Sequence, residues 1–110
     1  MSSRVFVFEP TSKDLGSASN FGKLEYMFDN DERRPSIWEV DQLLDAIDAR
    51  LDELDFNPEK DFILGAGATM PLMVIMHLLC CKYVTYKVLF WHASVSEYVP
   101  RSFSSNDWTY

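Results

Sequence analysis

Gly65-Ala66-Gly67-Ala68-Thr69 is the stretch of this chain with the clearest capacity for chemistry. It follows the apolar run Phe62-Ile63-Leu64 and precedes a long apolar segment, so it reads as a glycine turn joining a strand to a helix. Exposed N–H groups and the positive end of a helix dipole favour an anion at such a turn. Arg33 and Arg34 could add charge there, and His92 could reach the same sheet edge from a later strand. Gly65, Gly67, Thr69, Arg33, Arg34 and His92 are therefore the candidate anion or phosphate site. A structural role competes with it: a tight turn, arginines that partly neutralise an acidic stretch, and a surface histidine. The dinucleotide fingerprint needs a third glycine where this chain has Met70, and an acid where it has Trp91 and His92, so NAD binding is not expected. No Walker lysine follows the turn, which argues against a P-loop.

Two further constellations deserve weighing. Glu9, His92 and either Ser94 or Thr69 supply the residue types of an acid–base–nucleophile set, but no Gly-x-Ser-x-Gly elbow presents a serine. His77 and Cys81 stand one helical turn apart and could share a metal. A structural zinc takes four ligands in tighter pairs, and a buried cysteine behaving as a small hydrophobe is the preferred reading. No metal and no cofactor is expected, and the reading leans away from an enzyme.

The elements that would position these residues follow from periodicity and punctuation. Residues 4–9 form a first strand that stops at Pro10, residues 11–20 read as a polar surface loop, and residues 21–28 form a second strand. Ser36-Ile37-Trp38-Glu39 has the form of a capping box and opens a helix over residues 36–55. Ile37, Val40, Leu44, Ile47, Leu51 and Leu54 mark its packed face, and Asp41, Asp45, Asp48 and Asp52 a solvated anionic one. A strand at 61–64 leads through the glycine turn to a second helix at 70–83, with Thr69 as N-cap and Pro71 in the first turn. That helix has almost no polar face and is expected to be buried all round. Strands at 86–91 and 97–103 follow, the last demoted to an edge by Pro100. The fold class is α/β: a single two- or three-layer Rossmann-like domain over residues 1–103, with about five mostly parallel strands, an antiparallel edge and two main helices. Residues 104–110 form a short tail in which Trp108 and Tyr110 are expected to dock on something.

Composition narrows the partners. The chain has 110 residues and a net charge of −7. From Asp29 to Asp61 twelve acids face only Arg33, Arg34, Arg50 and Lys60, so that segment carries −8. Such a face repels duplex nucleic acid and attracts a protein with a basic surface. Cys80 and Cys81 are adjacent and cannot form a disulfide framework, which favours a reducing, cytoplasmic compartment. The apolar run from Ile63 to Cys81 approaches the length of a membrane span, but its glycines, Pro71 and His77 favour a strand plus a helix, and no membrane association is expected. The apolar second helix and Trp108 are compatible with a homodimer.

The stretch from Asp61 to Phe103 carries Asp-Phe-Ile-Leu-Gly-Ala-Gly, the apolar helix, Lys-Val-Leu-Phe-Trp and Glu-Tyr-Val-Pro-Arg-Ser-Phe. In this it resembles small uncharacterised proteins encoded in bacteriophage genomes. The resemblance implies a small non-enzymatic protein acting on host machinery, in the host cytoplasm, or within the virion. It transfers no site residue. The expected function is an interaction module that binds a host or viral protein through its anionic helix (Asp41, Asp45, Asp48, Asp52) or through its edge strand and tail (Trp108, Tyr110). The alternative is nucleotide or phosphate binding at the turn from Gly65 to Thr69.

Overall fold

The structure is a computed structural model that describes residues 3–11, 14–29, 36, 38–67 and 69–104. Five strands form one sheet: β1 (Arg4–Val7), β2 (Lys23–Tyr26), β3 (Phe62–Leu64), β4 (Thr85–His92) and β5 (Glu97–Ser104). Their order is β2-β1-β3-β4-β5. All pairings are parallel except β4 with β5, where Pro100 lies opposite Leu89 on the edge strand. The helices are α1 (Val40–Glu53) and α2 (Thr69–Lys82). This is the α/β architecture expected, a mostly parallel sheet with an antiparallel edge.

Alternation along the strands assigns the two faces. Phe6, Ile63 and Val88 point to one side, where they pack with Leu43, Ile47 and Leu51 of α1 and Val74, Ile75 and Leu79 of α2. Val5, Val7, Leu64 and Leu89 point to the other, where Leu15 and Ala18 cover them. The connection from β1 to β2 thus runs over one face while the two helical connections run over the other. Connections that cross the sheet in opposite directions must lie on opposite faces to share one hand.

Residues 11–20 therefore do more than the surface loop expected of them. They contain buried Leu15 and Ala18 and lead into a 3-10 helix, Ala18–Phe21. A parallel strand covered on both faces, such as Val5-Phe6-Val7, demands a second layer. Two apolar residues in a polar stretch give no periodicity from which to read it.

The first helix starts later than its capping box implies. Ser36 Oγ accepts the Trp38 N–H at 3.3 Å and the Ser36 carbonyl accepts the Glu39 N–H at 3.2 Å, so Ser36 closes a turn ahead of the helix. Glu39 is the N-cap and makes no side-chain cap bond. The packed stripe is Leu43, Ile47 and Leu51, whereas Val40 is exposed. Leu43 and Leu44 are equally apolar, and periodicity alone ranked them in the wrong order. The far end closes in a Schellman motif: Phe56 N–H reaches the Leu51 carbonyl at 3.0 Å and Asp55 N–H the Asp52 carbonyl at 3.1 Å, with Asp55 at φ 59°.

Arg4 completes that terminus. Its guanidinium donates to the Leu54 and Asp55 carbonyls at 2.6 and 2.7 Å and pairs with Asp61 at 3.1 Å. A cation at a helix C-terminus satisfies both the orphan carbonyls and the dipole.

The second helix is not buried all round. Its Pro71, Val74, Ile75, Leu78 and Leu79 are buried, but Met73, His77, Cys80 and Cys81 are exposed. Both helices sit on the same face of the sheet, so among the described residues α2 is covered by the sheet and α1. The expectation of a buried Cys81 fails for the same reason. No helix among the described residues is long and apolar enough to cross a membrane.

Lys82, at the end of α2, reaches back to Asp48 at 2.6 Å and Asp52 at 2.8 Å on α1. These hydrogen bonds hold its ammonium well above the usual lysine range, and burial pushes the Tyr83, Tyr86 and Tyr98 hydroxyls up as well. A raised folded pKa gives stability that is complete below the unfolded value and lost as pH climbs through the folded one. Thermal melts should therefore hold steady up to about pH 10 and fall progressively above it, less steeply in Tyr98→Phe. A melting temperature that stays flat beyond about pH 11 would contradict this assignment.

Candidate functional site

The strand order reverses direction between β1 and β3, and a cleft opens there. In doubly wound sheets, ligands sit outside the carboxyl ends of the strands at such a switch point. The cleft has a volume of about 100 Å³ and is lined by Val7 to Thr11 from the end of β1, Leu64, Ala66 and Gly67 from the end of β3, and Leu72 and Ile75 of α2. Small-molecule sites usually occupy roughly 300–1,000 Å³. The space suits an inorganic anion better than a nucleotide, and Glu9 on its wall opposes negative charge.

The glycines of the turn have different duties. A Cβ on Gly65 would lie 2.9 Å from the Leu89 carbonyl oxygen and 3.0 Å from a Val88 methyl, so Gly65 lets β3 approach β4. Its N–H donates to that same Leu89 carbonyl at 2.8 Å. Gly67 has φ +107° with open space beside its α-carbon, a backbone shape that glycine adopts freely and L-residues rarely do. Gly67 borders the cleft. Thr69 is the first residue of α2 instead of its cap and is exposed.

His92 is not among the residues lining the cleft, but it stands on the strand next to the one that leads into the turn. It ends β4 opposite Glu97 of β5, and β3 separates β4 from β1. Two strand spacings, roughly 9–10 Å, therefore lie between the strands that carry Glu9 and His92. Ser94 is exposed in the β4–β5 hairpin. The acid–base–nucleophile set is thus spread over two places. Arg33, Arg34, Trp108 and Tyr110 lie outside the described residues.

On α1, Asp41, Asp45 and Asp52 are exposed and Asp48 is half-buried. The anionic face is divided: Lys82 engages Asp48 and Asp52, while Asp41 and Asp45 have no ion pair among the described residues. Trp38, just ahead of the helix, is 77% exposed. Sequence reasoning passed over this tryptophan because the capping box absorbed it. An aromatic residue flanked by polar helix-start residues was the available signal.

A sheet ordered β2-β1-β3-β4-β5, with a small cleft at its reversal and an acidic helix on one face, defines a mostly parallel α/β protein with an antiparallel edge. The family model for phage Pam3 gp32-like protein matches residues 4–105, and the chain belongs to that family. Neither the curated proteins nor the solved structures give a match.

Proposed function

We propose that this phage-related protein is a small non-enzymatic interaction module that docks a basic surface of a host or phage protein on the acidic face of α1. The observation that carries the reading is the placing of Trp38, 77% exposed, just ahead of Asp41 and Asp45, which make no ion pair among the described residues. Interface hot spots combine a large aromatic anchor with charge-complementary groups around it. Opposite-charge steering also gives fast association with a basic partner. Edge strand β5 offers a second contact mode, by strand addition. Cys80 and Cys81 are exposed and in no disulfide, which fits a reducing host cytoplasm.

The test is capture from host lysate on the immobilised wild-type chain, repeated with Asp41→Lys/Asp45→Lys and with Trp38→Ala. A specific partner should be retained by wild type, lost with the charge reversal, weakened about tenfold or more by Trp38→Ala, and released by added salt. A partner held equally by all three proteins would sink the reading.

A second reading is binding of a phosphate group at the turn from Gly65 to Thr69, where Gly67 borders the small cleft at the β1–β3 reversal and Glu9 on its wall acts against it. A ligand at about 100 times its Kd stabilises by about 2.7 kcal/mol, a rise of roughly ten degrees in Tm for a domain of this size. Melts that do not move with phosphate or nucleotides would eliminate it.

A further inference from the structure

The exposed face of α2 carries an arrangement that neither reading uses. Cys81 Sγ and His77 Nε2 lie 3.8 Å apart, and both residues are exposed. Zinc–nitrogen and zinc–sulfur bonds near 2.0–2.1 and 2.3 Å, set at a tetrahedral angle, place the two donor atoms about 3.6 Å apart. The pair already has nearly that bite. It supplies two of the four ligands a closed site needs, and no group of three or more His, Cys, Asp or Glu among the described residues could hold a metal.

The surroundings indicate where the missing ligands come from. From Thr69 to Cys81 the helix contains no Asp, Glu, Lys or Arg. Met73, one turn before His77, is 62% exposed, as is Val84 just beyond the helix. In a chain of net charge −7, this helix face lets a second copy approach without bringing acids of α2 together. A twofold axis through an ion held between His77 and Cys81 would bring the same two ligands from the partner and complete the tetrahedron, as an isologous contact requires.

We infer that His77 and Cys81 are half of a zinc-type N2S2 site that is completed by the same pair from a second copy of this chain, giving a metal-bridged dimer through α2. On binding, the Cys81 thiol passes its proton to solvent and coordinates as thiolate, while neutral His77 coordinates through Nε2. The site does not depend on the acidic face of α1.

The reduced full chain is titrated with Co2+ as a spectroscopic stand-in and then with Zn2+, with the mass followed by light scattering. Tetrahedral cobalt–thiolate bands should saturate at one ion per two chains, Zn2+ should displace them, and the mass should double and return to its starting value with a chelator. His77→Ala and Cys81→Ser, checked for folding by circular dichroism, should each abolish both signals, and Cys80→Ser should keep them. Saturation at one ion per chain, an unchanged mass, or an undiminished response in folded Cys81→Ser would overturn the assignment.

Discussion

Asp61→Ala should lower the melting temperature by roughly ten to fifteen degrees, because it strands three donors at once. The carboxylate is 2% exposed and accepts the Arg4 backbone N–H at 3.0 Å, the Arg4 guanidinium at 3.1 Å and the Asn57 N–H at 2.8 Å. Its removal leaves two backbone N–H groups and one cation short of an acceptor in a place water reaches poorly. Breaking a buried pair from one side typically costs about 3–5 kcal/mol, and the partial exposure of Arg4 puts this case near the lower end. Asp61→Asn keeps the volume and one acceptor oxygen, so it should lose less. A loss below about 1 kcal/mol for the alanine variant, measured by urea unfolding, would mean that water replaces the carboxylate.

Phe6→Ala should cost about 3–5 kcal/mol, a large fraction of the 5–15 kcal/mol typical of a whole domain. Phe6 is fully buried on the strand between β2 and β3. Its ring meets Phe56 edge-on at 5.1 Å, and the Arg4 guanidinium lies 4.7 Å from the ring centre. The same arginine thus serves Phe6 and Asp61, so the two substitutions are coupled. The double variant should lose less than the sum of the single losses by more than about 0.5 kcal/mol, whereas independent sites would add. Strict additivity would show that the Arg4–Phe6 contact contributes nothing.

Much of the architecture is legible in the residue pattern. The Gly65–Gly67 break after Leu64 and the apolar segment after it mark a strand, turn and helix in nearly any context. Pro100 marks an edge because it lacks the N–H a ladder needs. What the sequence concealed depends on contacts distant along the chain. Leu15 and Ala18 are recognisable as cover only once the second face of β1 is known to need it. The exposure of Met73, His77 and Cys81 follows from both helices lying on one face, which hydropathy does not encode. The switch-point cleft was foreseeable in outline, since Gly67 borders it. The separation of His92 from Glu9 depends on strand order, which the residues alone do not give, and Arg33, Arg34, Trp108 and Tyr110 fall outside the described residues.

The position of β1 constrains how the chain can reach this state. It is flanked by β2, reached through a long connection, and by β3, whose pairing joins Val5 to Phe62 and Phe6 to Ile63. Only β4 and β5 are joined by a short hairpin. A hairpin closes in roughly 1–10 μs, whereas pairing across more than fifty residues must first overcome the entropy of a large loop. β1 is therefore assembled late, and its apolar residues Val5, Phe6 and Val7 remain accessible to other chains until it is. Concentration during refolding becomes a variable in the yield of native protein, with β1 as the segment that self-association would involve.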